Sequence, residues 1–293
     1  MPKKTALILS GGGAKGAFQT AAEKYAREEK GYTWDIIAGV SVGALNGAML
    51  AMEKYQRLFE IWNTISNDQV FTGGFNLWSV IKLAFGAKSF YGNEPLWKML
   101  QAELDPGLVK ADLRIGSVSL VSGEYVQFTK TEPQLAKEVL ASTVMPVIWT
   151  PVEISPAYRS MVDGGVRNIT PIGDVLDRDP DEIVIINCSP EEETPLNSSP
   201  ANIVDIGLRT LDILLNEVFR SDMDNFRRIN ALVKEAEAQG VTLHSPNSGK
   251  ALKYFDFKVI EPAASLDDTL DFTQPAVQRS LKAGYERAKA VLG

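Results

Sequence analysis

The chain has 293 residues, 45% hydrophobic and 23% charged, with 23 glycines and 15 prolines, a globular composition rather than a disordered or fibrous one. A chain of this length buries roughly 75% of its unfolded surface and needs no disulfide or structural metal, and the single Cys188 and single His244 form neither a bridge nor a zinc cluster. A formal net charge of −7 argues against electrostatic capture of nucleic acid or anionic lipid, which needs a basic face.

Apolar runs bounded by glycine alternate with segments of helical period, the pattern of an α/β sheet covered on both faces. Met1 to Lys4 is followed by an apolar run too short for a secretory signal; the expectation is a cytoplasmic protein, or one exported without a cleaved signal. Thr5 to Ser10 reads as a buried strand that stops at Gly11-Gly12-Gly13, and Ala14 to Glu29 carries Phe18, Ala21, Ala22 and Tyr25 at helical spacing. Trp34 to Val40 is a second strand ending at Ser41, with helical period from Val42 to Trp62, so strand, glycine turn and helix occur twice.

Phe71 to Trp97 is aromatic and punctuated by glycine, with an apolar helix face of Leu77, Val80, Ile81, Ala84 and Phe85 that is too short to span a bilayer. It reads either as a helix buried against the sheet or as an acyl-binding lid with Trp78, Phe85 and Phe90 as contact residues, inserting into lipid by apolar contact. Leu113 to Val121 and Glu124 to Thr129 flank Ser122-Gly123 as a hairpin. Gln134 to Thr143 is helical, Val147 to Ile154 extended and Glu182 to Asn187 a further buried strand. After the solvated stretch Pro190 to Pro200 come a long amphipathic helix from Ile206 to Val233, a strand from Tyr254 to Ile260 and a closing helix from Gln278 to Leu292. The expectation is one domain over residues 1–293, with the later elements packing on the same sheet.

Gly11-Gly12-Gly13-Ala14-Lys15-Gly16 follows a strand and opens a helix, where unpaired N–H groups and the positive dipole end favour an anion. As a dinucleotide fingerprint, Gly11, Gly13 and Gly16 fit, with Asp35 as the later acid, yet Asp35 stands at the start of the second strand instead of its end. A Walker A loop fails on residue types, since Ala14 precedes Lys15 and Ala17 follows Gly16. The third use is an oxyanion hole, which requires a nucleophile on a neighbouring strand end. Gly39-Val40-Ser41-Val42-Gly43 offers one, a serine on a strained strand-to-helix turn whose flanking glycines avoid collision. Met161-Val162-Asp163-Gly164-Gly165 ends an apolar stretch with an acid, which alone reads as an Asp-Gly turn.

In this order the three elements resemble the patatin-like phospholipase family, marked by G-G-G-x-[R/K]-G, G-x-S-x-G and D-G-[G/A]. Ala141-Ser142-Thr143-Val144-Met145-Pro146 is similar to the family's A-S-x-A-x-P segment, with Val144 for the commoner alanine, and Ser89 to Leu96 is similar to the stretch before its mid-domain helix. The resemblance spans roughly residues 5 to 190. It implies a three-layer α/β/α sandwich with a mostly parallel central sheet, and hydrolysis of phospholipid or lysophospholipid acyl esters without metal or cofactor. By the resemblance Ser41 is the nucleophile between elbow glycines Gly39 and Gly43, Asp163 its partner in a Ser-Asp dyad, Gly11, Gly12 and Gly13 the oxyanion loop, and Lys15 the basic position that steadies it. An Asp serves as the base if partial desolvation raises its pKa towards the working pH. Rival readings are a general carboxylesterase with a Ser41-Asp163-His244 triad, whose chain order matches the α/β-hydrolases, a non-hydrolytic nucleotide-binding module, and an interaction protein retaining the fold.

Overall fold

The computed structural model describes residues 3–73, 91–129, 134–146, 148–192, 195, 199, 203–246, 248–266 and 268–293. Its elements in chain order are β1 (Thr5–Leu9), α1 (Gly16–Lys30), β2 (Ile36–Val40), α2 (Val42–Ala51), α3 (Tyr55–Thr64), α4 (Asn67–Val70), the short pair β3 (Thr72–Gly73) and β4 (Tyr91–Gly92), α5 (Glu94–Glu103), β5 (Asp112–Ser119), β6 (Tyr125–Thr129), α6 (Leu135–Thr143), β7 (Met161–Asp163), α7 (Gly173–Leu176), β8 (Glu182–Ile186), α8 (Ile203–Ala238), β9 (Asp256–Ile260) and α9 (Gln274–Leu292). The main sheet has the order β6-β5-β2-β1-β8-β9, with β7 also joined to β5. The five strands from β5 to β9 in that order are parallel, and β6 and β7 run antiparallel to β5.

Strands β1, β2 and β8 are buried along their whole length and, apart from Thr5 and Glu182 at their first positions, apolar, because both of their faces are covered. Leu7 and Leu9 of β1, Ile37 of β2 and Val184 and Ile186 of β8 face one layer, together with Phe18 of α1, Met49 of α2, Trp62 of α3 and Leu281 of α9. The alternate residues, Ala6, Ile8, Ile36, Ala38, Ile183 and Ile185, face the other layer with Val175 of α7 and Phe219, Met223 and Phe226 of α8. Each large apolar side chain buried this way contributes about 1.5–3 kcal/mol. The fold is mixed α/β, a mostly parallel sheet between two helical layers.

Three sequence expectations are corrected. The helical period from Val42 to Trp62 is cut in two at Glu53, which adopts φ 56°. Residues Gly13–Lys15 form one 3-10 turn before α1 begins at Gly16. Val147 to Ile154 is not a strand: among its described residues only Val152 pairs, in an isolated bridge to Met161. Pro146 and Pro151 lack the N–H groups that a ladder needs. Trp78, Phe85 and Phe90 lie outside the described residues. The described ends of that stretch meet, Phe71 packing edge-on against Tyr91 with ring centroids 5.1 Å apart. Among the described residues no helix is long and apolar enough to cross a membrane.

Candidate active site

β5 serves as a rail that brings Ser41 and Asp163 together. β2 runs along it until Val40 faces Gly116, and β7 runs the opposite way along the same edge until Asp163 faces Ser117. The two strands therefore meet end to end, one β5 position apart, about 3.3 Å along the strand. No local sequence signal announces this meeting, because it depends on β7 pairing with β5 from the side that β2 vacates.

Ser41 takes φ 58° and ψ −130°, a sparsely populated conformation costing about 1–3 kcal/mol that surrounding packing must hold. The turn is tight: a Cβ on Gly43 would lie 2.2 Å from the Leu9 carbonyl oxygen of β1, and one on Gly39 would strike the Gly43 carbonyl. Ser41 is only 7% exposed and forms part of a cavity floor. The Ser41 hydroxyl lies near enough to the Asp163 carboxylate to pull on its titration, and Asp163 Oδ1 accepts the Gly165 N–H at 2.8 Å. Burial pushes the Asp163 carboxyl up from 3.8 to about 6, against the opposing pull of the Ser41 hydroxyl and the Gly165 amide. No cation is among the groups that shift it.

In the glycine loop, the Gly11 N–H donates to the Ile169 carbonyl at 3.1 Å, Ala14 to Thr269 at 2.8 Å and Lys15 back to Gly12 at 3.2 Å. The N–H groups of Gly12 and Gly13 have no hydrogen-bond partner among the described residues. Of the three loop glycines, Gly11 thus has its N–H already engaged. Gly12 sits at φ 155°, and a Cβ there would lie 2.3 Å from Cys188 Cβ, so the loop is pressed between Cys188 on one side and Thr269 on the other. The Cys188 thiol, fully buried, is pushed up to about 12 and stays protonated, an inert wall. Lys15 lines the same cavity and lies close enough to Cys188 to oppose that rise.

Two cavities meet at Ser41. One, of about 120 Å³, is lined by the glycine loop, Lys15, Asp163, Asn187 and the α8 residues Arg209 and Asp212. The second, of about 60 Å³, shares Gly13, Ser41 and Met145 with the first and is otherwise mostly apolar, walled by Leu45, Trp62, Trp149, Leu270 and Phe272. Trp62 and Phe272 stack there with centroids 6.4 Å apart and planes at 14°. The sequence reading missed the contributions of Thr269, Leu270 and Phe272. They lie in the polar stretch before α9, whose composition marks it only as a loop.

His244 does not join the group. It is exposed, paired in an isolated bridge to Ala251 beyond α8, and lines neither cavity. Asp35 lies at the wrong end of the sheet: its Oδ2 accepts the Thr5 N–H at 2.8 Å. That places it the length of a five-residue strand, about 16 Å, from the glycine loop. Among the described residues no cluster of three or more His, Cys, Asp or Glu could hold a metal ion.

The model of the family described as patatin-like phospholipase matches residues 7–176, a span that includes all three motifs. Among solved structures, the crystal structure of VipD from Legionella pneumophila aligns with 100% of this chain and 67% of its own, at 15% identity and a TM-score of 0.49. No curated protein matches the chain.

Proposed function

The chain belongs to the patatin-like phospholipase family, whose chemistry is lipid acyl hydrolysis, and on that footing we propose that it hydrolyses acyl esters of phospholipid or lysophospholipid through a Ser41–Asp163 dyad. The observation that carries this reading is the Ser41 hydroxyl brought beside a buried carboxylate by β5, with no cation among the groups that shift that carboxylate. A carboxyl held at about 6 is ionised at neutral pH, yet is more basic than an ordinary Asp and suited to accept the serine proton.

Ionised Asp163 takes the proton from Ser41 Oγ as Oγ attacks the ester carbonyl. The oxygen that becomes negative is received by the Gly12 and Gly13 amides, at the positive end of α1. Asp163 returns the proton to the departing alcohol, leaving an acyl-serine; it then takes a proton from a water whose oxygen attacks the acyl carbon, and passes that proton to Ser41 Oγ as the bond to the acyl carbon breaks and the fatty acid leaves. Lys15 adds positive potential beside the loop, and Gly39 and Gly43 hold the elbow. The acyl chain occupies the apolar cavity of Trp62, Leu270 and Phe272, and the leaving alcohol occupies the cavity lined by the glycine loop and α8. Because Thr269 and α8 complete these walls, the whole chain acts as one hydrolytic unit.

The test is fatty-acid release from phosphatidylcholine and lysophosphatidylcholine vesicles. Wild-type protein is expected to release fatty acid and Ser41→Ala to release none. Equal release by both, or none by well-folded wild type, sinks the reading.

A further inference from the structure

We propose that Ser142 is a positioning residue that fixes the orientation of the Ser41 elbow, and that the segment Ser142–Val144 holds both members of the dyad at once. The proposal rests on Ser41 being the nucleophile. Ser142 lies in the last full turn of α6 with no exposed surface. Its Oγ accepts the Ser41 N–H at 3.0 Å and donates to the Gly116 carbonyl at 2.6 Å. Two residues later, the Val144 carbonyl accepts the Asp163 N–H at 2.9 Å. Gly116 is the β5 residue opposite Val40, and its neighbour Ser117 faces Asp163. The three bonds therefore close around the point where β2 and β7 meet.

The physical need for them is specific. At Ser41 the positive φ swings the chain off the sheet, and its amide leaves the β2–β5 ladder while still buried. A buried N–H must find a partner. A hydroxyl can accept from this amide and donate to the Gly116 carbonyl at the same time, which neither a methyl group nor a hydrogen can do. Without it, the peptide between Val40 and Ser41 relieves its unpaired N–H by rotating. That rotation turns Ser41 Cβ and carries Oγ away from the Asp163 carboxylate and the Gly12 and Gly13 amides. Ser142 itself lines neither cavity, so it acts through Ser41 and not on the substrate. The same bond commits the Ser41 amide to the interior, leaving oxyanion binding to the glycine loop.

The experiment compares Ser142→Ala, Ser142→Thr and Ser142→Val by kcat and KM on a soluble p-nitrophenyl ester and by the rate of fluorophosphonate labelling at Ser41. Thr and Val have nearly the same shape, so their difference isolates the hydroxyl even if the extra methyl group perturbs packing. The expected result is kcat and labelling rate lowered about 100-fold in Ala and Val, the scale of an ångström-sized misplacement, with KM changed less than about threefold. Thr should recover most of the loss. A folded Ala variant labelled at the wild-type rate overturns the proposal, and so do Thr and Val variants that are equally impaired. If wild-type protein is not labelled at Ser41, the functional reading falls first. If it is labelled and the hydroxyl makes no difference, only this proposal falls.

Discussion

The turns that close the neighbouring strands β1 and β2 stand side by side at the same end of the sheet, both rich in glycine, and they are held in different ways. After β1, the loop is braced from outside by Ile169 and Thr269, and two of its N–H groups have no partner among the described residues. After β2, the groups are tied: the Ser41 N–H to Ser142, the Ser41 carbonyl to the Ala44 N–H, and Gly43 packed against the Leu9 carbonyl. The first turn lines a cavity and on the proposed reading supplies donors to it, and the second is a strained side-chain mount held by the backbone of its neighbour. On that reading glycine in the first supports function, whereas in the second it supports the fold.

The largest effect is expected from the group the second turn presents its serine to. Asp163→Asn should lower kcat/KM by about 10⁴-fold, since the near-isosteric amide cannot take the serine proton. The same substitution should raise thermal stability above pH 6. The native carboxyl titrates at about 6 and its unfolded counterpart near 3.8, so the native state binds the proton more tightly and stability drains away as pH rises between those values. A shift of this size corresponds to about 3 kcal/mol at most, and the gain in melting temperature should vanish when melts are repeated near pH 4.

The contrast between the turns is tested directly by Gly43→Ala against Gly12→Ala. At Gly43 the added methyl meets the backbone of β1 and nothing there can yield, so little folded protein should accumulate. At Gly12 the added methyl meets the Cys188 side chain and no sheet backbone, so the loop must shift while the sheet need not. That variant should remain folded, with native circular dichroism, and lose about 10²–10³-fold in kcat, the scale for one oxyanion donor. If both variants fold and both lose only activity, the distinction between a donor turn and a packing turn is wrong.

A smaller effect belongs to the apolar cavity. Each buried CH₂ contributes about 0.8 kcal/mol, so kcat/KM for p-nitrophenyl esters should climb from acetate to longer chains, and Phe272→Ala should flatten that climb while sparing acetate. A profile that peaks at acetate would place the acyl chain elsewhere. The smallest effect is predicted for His244→Ala, within about twofold of wild type in the same assay. An inactive, folded His244→Ala protein would replace the dyad by a triad.

The two turns were also the most legible parts of the sequence, because each is a local pattern with a local cause. Burial on both faces made β1, β2 and β8 readable as continuous apolar runs, and Ser122-Gly123 marked the β5–β6 hairpin. Legibility stopped where the cause was distant. The break at Glu53 has no glycine or proline to signal it. Thr269 braces Ala14 across more than two hundred residues of chain, and Ser142 has its role only because α6 ends beside the β2–β5 seam. The availability of donors in the glycine loop was equally hidden, since the carbonyl that engages Gly11 belongs to Ile169.

The central claim is that Ser41 is activated by a buried, partly desolvated Asp163, and the rate of fluorophosphonate labelling as a function of pH tests it most directly, with the modified peptide identified by mass spectrometry. The account predicts modification at Ser41 alone, at a rate that rises with pH through a single ionisation near 6 and is lost in Asp163→Asn. Labelling at another residue, or Ser41 labelling that keeps its rate and pH profile in Asp163→Asn, would contradict it.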